Sequence, residues 1–109
     1  MNIDLLNRLD GKLRNAPIEV RKRAQSVAEW LVEWIPNGYD APVNAFICQD
    51  ESVLIEWTSD RFRIGFGIEH DESEDGWYKV SLDNDHEYGE LYTADYKELV
   101  KWALEHERR

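Results

Sequence analysis

A chain of 109 residues, 42% of them hydrophobic and with a formal net charge of −10, is long enough for one domain, residues 1–109, with a single modest core. Five Trp, five Tyr and three Phe exclude an intrinsically disordered chain. The excess of acid argues against direct binding of nucleic acid, because contacts to phosphates require Lys and Arg.

The first third of the chain has helical periodicity. Apolar residues recur at spacings of three and four over residues 2–14 and again over residues 17–35, which predicts two helices. Pro17 is typical of a helix start, because proline is accommodated at the first helical position. The segment Pro36–Gly38 ends the second helix.

The middle of the chain alternates between apolar and polar residues, as strands of an antiparallel meander do. The apolar side of the first predicted strand is formed by Val53, Ile55 and Trp57, and that of the second by Phe62, Ile64, Phe66 and Ile68. Gly65 and Gly67 fall on the opposite side of the second strand. We interpret them as a structural feature of the sheet rather than as a contact to a ligand.

Shorter patterns predict further strands. Residues 77–83 form a third strand, residues 86–92 a fourth, and residues 43–49 an additional strand at the start, so that the meander has three to five strands. The inward-facing side chains of the third strand are predicted to be Tyr78, Val80 and Leu82.

The C-terminal segment is predicted to be a helix that packs on the sheet. Thr93 is typical of an N-cap, and Asp95 in the first turn interacts favourably with the helix dipole. The predicted apolar stripe is formed by Tyr96, Leu99, Val100, Ala103 and Leu104. The order of helices, antiparallel sheet and helix indicates an α+β fold.

Three features of the sequence indicate where the protein resides. The N-terminal residues have neither the apolar run nor the cleavage pattern of a signal peptide, and no window approaches the roughly 20 apolar residues of a membrane span. The chain has a single cysteine, Cys48, and so forms no intrachain disulfide, which is typical of a reducing compartment. We expect a cytoplasmic protein that does not bind membranes.

The acidic residues are concentrated in the middle of the chain. Residues 39–97 contain 15 Asp and Glu against four Lys and Arg, a balance of −11, whereas residues 1–38 sum to +1 and residues 98–109 to zero. The segment His70–Glu90 alone has eight acidic residues and one Lys. Such a segment attracts a basic partner electrostatically, and it is equally typical of a solvated hairpin that resists aggregation at a sheet edge.

Part of the acidic segment resembles a calcium site. Asp71, Ser73, Asp75 and Gly76 are spaced like the first half of an EF-hand loop. The twelfth position, which requires a bidentate Glu, is occupied by Leu82, so the sequence argues against an EF-hand. A looser divalent-cation site remains an alternative for the residues Asp83, Asp85 and His86.

No constellation of catalytic residues stands out. The histidines lack the spacings of metal ligands, and we interpret all three, His70, His86 and His106, as surface residues. Cys48 lies in an apolar, strand-like run and is interpreted as a buried, unreactive thiol. Carboxylates for acid–base catalysis are numerous, but no pair is distinguished from the rest. We therefore expect no enzyme activity and no cofactor.

Two tryptophans form a second candidate surface. Trp30 and Trp34 are four residues apart and so lie on the same side of the second predicted helix. Exposed tryptophans are frequent anchors of protein interfaces.

The stretches "LIEW" (Leu54–Trp57) and "RFRIGFGIE" (Arg61–Glu69) resemble a pattern of small uncharacterised prokaryotic and phage proteins. In those proteins a helix precedes a strand ending in Leu-Glu-Trp, which is followed by an amphipathic strand and an acidic turn. The segment Asp50–Ser52 departs from the pattern, since a tight turn with Gly is usual there. The size and acidity are similar to those of phage anti-CRISPR proteins and bacterial immunity proteins. The resemblance implies a setting of defence or toxin genes and implies no catalytic residue.

Together these observations predict an acidic, non-enzymatic binding protein that inhibits a basic, nucleic-acid-handling partner, a nuclease or a CRISPR effector, by imitating the charge of nucleic acid. The residues predicted to contact the partner are Asp71, Glu72, Glu74, Asp75, Asp83, Asp85, Glu87 and Glu90, with Trp77 or Tyr88 as an aromatic anchor. The alternative is a small structural or regulatory domain that forms a homodimer through Trp30 and Trp34.

Overall fold

A computed structural model describes residues 1–107, in which three α-helices and five strands follow one another in the predicted order, so the α+β prediction is confirmed. In chain order the elements are α1 (Ile3–Leu13), α2 (Ile18–Trp34), β1 (Val43–Ile47), β2 (Val53–Thr58), β3 (Phe62–Ile68), the 3-10 helix η1 (Glu72–Glu74), β4 (Gly76–Ser81), β5 (His86–Glu90), the 3-10 helix η2 (Leu91–Thr93) and α3 (Tyr96–Glu107).

The two N-terminal helices form a hairpin beside the sheet. Asn2 caps α1, since its Oδ1 accepts a hydrogen bond from the Leu5 N–H at 3.3 Å, and its amide donates to the carbonyls of Pro36 and Tyr39. These bonds join the start of α1 to the end of α2. Pro17 is the N-cap of α2, one position before the predicted one.

The five strands form one antiparallel sheet in the order β1-β2-β3-β4-β5. The inner face packs against the helices, and its buried residues include those predicted for β2 and β3. The opposite, outer face carries polar and small side chains in β2 and β3, such as Thr58, Arg63 and Gly65. The fold is therefore two-layered, and β1 and β5 are the edge strands.

The side that β4 turns to the core differs from the prediction. Trp77 lies opposite Phe66 of β3 and is buried. Tyr78 is half-buried on the outer face, Val80 is exposed, and Leu82 lies in the exposed turn beyond the end of β4. In this strand both alternating sets of side chains contain apolar residues, so the alternation alone does not show which set is buried. The pairing of β4 with β3 determines the buried set.

The last helix begins later than predicted. Asp95 is its cap, because the Asp95 carboxylate accepts a hydrogen bond from the Glu98 N–H at 3.1 Å, as an N-cap does for the third helical residue. Thr93, the predicted cap, ends η2. Its hydroxyl accepts a hydrogen bond from the Trp77 indole N–H at 3.0 Å and donates one to the Glu90 carbonyl at 2.6 Å.

The core is one continuous cluster of buried apolar side chains contributed by the helices and the inner face of the sheet. Its largest fully buried members are Trp57 and Phe66, and the Trp57 ring meets Phe62 edge-on with 5.7 Å between centroids. Within residues 1–107 no helix combines the length and the hydropathy needed to cross a membrane.

Candidate protein-binding surface

The β4–β5 hairpin separates the predicted contact residues into two groups. Gly76 pairs with Glu90 at one end of the hairpin and Val80 pairs with His86 near the other. The first end carries the η1 group, which we define as Asp71, Glu72, Glu74 and Glu90. The second end carries the turn group, which we define as Asp83, Asp85 and Glu87. At about 3.4 Å per residue, the six residues of β4 place the two groups roughly 17 Å apart. All seven side chains are exposed.

Two of the predicted contact residues are buried and hold the fold together. The Asp75 carboxylate accepts hydrogen bonds from the Glu69 N–H at 2.7 Å and from Arg23 Nε at 2.9 Å, and its side chain is only 4% exposed. Trp77 is buried beneath η2, where its indole binds Thr93. The prediction of Asp75 and Trp77 as contacts is therefore corrected. Tyr88, which is 79% exposed, remains as the aromatic candidate.

The single lysine of the hairpin points inward. Lys79 lies on the inner face, with its ammonium 4.9 Å from the centroid of the Trp102 ring and 3.5 Å from the Glu87 carboxylate. Trp102 also donates a hydrogen bond to the Asp85 carboxylate at 3.3 Å. Because its one cation is held between β4, β5 and α3, the hairpin presents mainly carboxylates to solvent. The sequence did not indicate this placement, since it depends on which face β4 buries.

Local hydrogen bonds keep η1 ordered. The Asp71 carboxylate accepts hydrogen bonds from the Ser73 hydroxyl at 2.7 Å and the Ser73 N–H at 3.0 Å. These bonds lower the pKa of Asp71 below its ordinary value, the hydroxyl bond having the larger effect. The carboxylate therefore stays charged to lower pH than a free aspartate does.

Two residues outside the hairpin are placed differently from their predictions. Cys48 is exposed, because β1 ends at Ile47 and the chain then turns toward β2. His106 is buried against Trp102, with 4.1 Å between ring centroids. Its burial follows from its position on the inner side of α3, which the predicted stripe did not include.

The candidate metal ligands do not converge. In the part of the chain that the structure describes, no three His, Cys, Asp or Glu side chains are grouped so that they could hold a metal ion. Asp75, a member of the calcium-like pattern, is engaged by Arg23. His86, from the looser candidate site, contacts the Asn84 carbonyl through its Nδ1 at 3.1 Å.

The two tryptophans of α2 are exposed, as a homodimer formed through them would require. Trp30 is 51% and Trp34 43% exposed. Both also make contacts within the chain: the Trp30 ring lies 5.7 Å from that of Tyr96, and the Lys97 ammonium lies 5.4 Å from the centroid of the Trp34 ring. Trp30 borders a cleft of about 490 Å³ between α2, η1 and the segment 90–96, which sequence reasoning did not find because its walls come from distant parts of the chain.

Comparison with known proteins adds no assignment of function. The chain matches no protein-family model, no curated protein and no solved structure. The acidic hairpin and the neighbouring cleft are therefore the features from which a function can be argued.

Proposed function

We propose that this chain is a non-enzymatic, cytoplasmic binding protein that inhibits a basic, nucleic-acid-handling protein, such as a nuclease or a CRISPR effector, through the carboxylates of the β4–β5 hairpin. The observation that carries the proposal is the distribution of charge on that hairpin. Seven exposed carboxylates lie at its two ends, whereas its one lysine is turned to the inner face and pairs with only one of them, Glu87.

The spacing of the two acidic groups fits a groove built for a phosphate chain. Their separation of roughly 17 Å is the length of helix axis over which one strand of B-form DNA carries about five charges, at 3.4 Å of axis for each. Lys and Arg side chains that contact phosphates about five positions apart would meet carboxylates at the two ends of the hairpin. Between these ends, the exposed Tyr88 lies on the outer face opposite Tyr78 and supplies an aromatic contact of the kind enriched at protein interfaces.

The global charge supports the same partner. A net charge of −10 with a balance of −11 in residues 39–97 repels nucleic acid and accelerates encounters with a positively charged protein. Burial of a basic groove under this hairpin would exclude the nucleic acid that the groove normally holds.

The proposal is tested by capture of partners from host lysate on immobilised protein. The expected result is retention of a basic, nucleic-acid-binding protein that is released by moderate salt and by added duplex DNA or RNA. Salt screens the attraction between the two proteins, and nucleic acid competes with the hairpin for the basic side chains of the partner. Retention that resists both salt and nucleic acid, or retention only of proteins without a basic surface, would overturn the proposal.

A second candidate function is homodimerisation through α2, which the exposure of Trp30 and Trp34 favours. Sedimentation equilibrium of the protein and of its Trp34→Ala variant decides it. A dimer that dissociates in the variant supports this candidate. A monomer at all concentrations eliminates it.

A further inference from the structure

The cleft beside α2 has walls that are fixed by contacts within the chain. The Leu91 N–H donates a hydrogen bond to the Asp75 carbonyl at 3.1 Å, which holds η2 against the end of η1. Tyr96 stacks on Phe66 of the core, with 5.4 Å between ring centroids, and its ring centroid lies 5.7 Å from that of Trp30. The cleft is therefore formed before any ligand arrives, which lowers the entropic cost of binding.

Three aromatic side chains contribute to the lining of the cleft. Trp30, Tyr92 and Tyr96 all border the cleft, and Tyr92 is 85% exposed. The faces of aromatic rings carry partial negative charge and attract cations, and Trp attracts them more strongly than Tyr or Phe does. Such a lining favours a planar or alkylated cation over an anion.

The charged groups at the cleft leave an excess of acid. The guanidinium of Arg23 is paired with the Asp75 carboxylate, and it also donates to the Glu69 carbonyl, so its charge is already compensated. Glu72 and Glu90 also border the cleft, and neither lies within 4.0 Å of a basic side chain among the described residues. Glu90 and Tyr92 both border the cleft, and hydrogen bonding to the Glu90 carboxylate raises the pKa of Tyr92.

We propose that this cleft binds the guanidinium group of an arginine side chain that the basic partner presents. The guanidinium lies against the rings of Trp30 and Tyr92, and Glu72 and Glu90 accept its N–H donors. Arginine fits both parts of this environment, because its planar cation stacks on aromatic rings and forms directed hydrogen bonds to carboxylates. The source of the arginine rests on the proposed function, whereas the affinity of the cleft for a guanidinium group does not.

The test is an NMR titration of the ¹⁵N-labelled protein with N-acetyl-arginine-N-methylamide. The expected result is a saturable shift of the Trp30 indole N–H and of the amides of residues 90–96. The neutral isostere N-acetyl-citrulline-N-methylamide should leave them unchanged, because it lacks the charge. N-acetyl-lysine-N-methylamide should bind more weakly, because a compact ammonium does not stack on the rings as a guanidinium does.

A pair of matched double variants locates the site. Glu72→Gln with Glu90→Gln should weaken binding of the arginine probe about tenfold, corresponding to about 1.4 kcal/mol. Asp60→Asn with Glu105→Gln removes the same charge at exposed positions that do not border the cleft and should weaken it less than twofold. The Trp30 indole is the readout in both. Equal shifts with the citrulline probe, or equal losses in the two variants, would overturn the proposal.

This experiment separates the failure of the cleft from the failure of the proposed function, because the probe requires no partner. A basic protein captured from lysate together with an arginine probe that does not bind would leave the function standing and eliminate the cleft. Binding of the probe without a captured basic partner would support the cleft as a guanidinium site and would count against the proposed function.

Discussion

At the scale of single residues, the acidic segment contains carboxylates of two different kinds. Asp75 is buried and bonded to Arg23 of α2 and to the backbone of Glu69, so it joins α2 to the end of β3 and to the start of β4. Its neighbour Glu74 is exposed. The sequence shows no difference between them, because the spacing of the carboxylates does not reveal which one meets Arg23.

This difference predicts different effects on stability. Asp75→Ala should lower the free energy of unfolding by about 3 kcal/mol, because it leaves a half-buried guanidinium and a backbone N–H without their acceptor. Glu74→Ala, one residue away, should change it by less than about 0.5 kcal/mol. Urea denaturation followed by circular dichroism measures both. Equal values for the two variants would contradict the structural role of Asp75.

Tyr96 provides a test of burial through pH. Its hydroxyl is buried and has no hydrogen-bond partner within residues 1–107, and burial raises the pKa of Tyr96 from 10.0 to about 12. The folded protein therefore keeps this proton at pH values where the unfolded chain has lost it. The contribution of the protonated Tyr96 hydroxyl to the free energy of unfolding is complete below pH 10 and is lost as the pH rises toward 12.

Tyr96→Phe should accordingly leave stability at neutral pH unchanged or raise it by up to about 1 kcal/mol, since it removes an unpaired buried hydroxyl. The fall in stability between pH 10 and 12 should become shallower but should not disappear, because the pKa values of Tyr39 and Tyr78 are also raised to about 12. Denaturation curves across this range are the measurement. An unchanged slope would show that the Tyr96 hydroxyl is hydrated in the folded protein.

At the scale of the elements, the outer face of the sheet depends on the packing of β4 against β3. Gly65 of β3 lies opposite Tyr78 of β4. A Cβ atom on Gly65 would lie 2.2 Å from Tyr78 Cε1, whereas a Cβ atom on Gly67 would have no neighbour closer than 3.9 Å. The Tyr78 hydroxyl donates a hydrogen bond to the Glu56 carboxylate at 2.7 Å, which ties β4 to β2 across β3.

Gly65→Ala should therefore destabilise the protein by about 1–3 kcal/mol, because the Tyr78 ring must move and give up its bond to Glu56. Gly67→Ala, on the same face of the same strand, should be neutral or slightly stabilising, because alanine loses less conformational freedom on folding than glycine. Thermal unfolding of the two variants gives the comparison. A cost for Gly67→Ala equal to that for Gly65→Ala would mean that loss of glycine itself, and not the Tyr78 ring, is responsible.

The elements that periodicity predicted best are those with one apolar side. The two N-terminal helices and the strands β2 and β3 have a single apolar stripe or face, so their buried residues could be read from the sequence. In β4 the apolar residues fall on both faces. The choice between Trp77 and Tyr78 is made by the neighbouring strand and by the bond from Trp77 to Thr93, neither of which a local pattern contains.

The candidate site was predictable only in part, because a local sequence pattern does not contain the contacts between distant segments. The exposed carboxylates of the hairpin follow from composition, whereas the burial of Asp75, the inward position of Lys79 and the cleft at Trp30 depend on contacts between distant segments. The exposure of Cys48 depends on where β1 ends, and strand ends are set by pairing as much as by sequence.

At the scale of the whole molecule, charge is distributed unevenly. Residues 1–38, which include α1 and α2, have a balance of +1, and residues 39–97, which form the sheet and the acidic hairpin, have a balance of −11. A partner attracted by total charge would bind wherever acid is present. A partner that recognises the hairpin would depend on the location of the charge as well as on its amount.

The measurement that separates these cases is the association rate of the captured basic protein with two charge-matched variants at low salt. One variant reverses Glu72, Glu74 and Asp83 to Lys, and the other reverses Glu29, Glu33 and Asp60, which are also exposed. Each reversal adds two charges, so both variants change from −10 to −4. We predict that the hairpin variant associates more than about tenfold more slowly, whereas the matched variant stays within about threefold of the unmodified protein. Equal slowing in both variants would contradict the claim that the hairpin is the recognition surface.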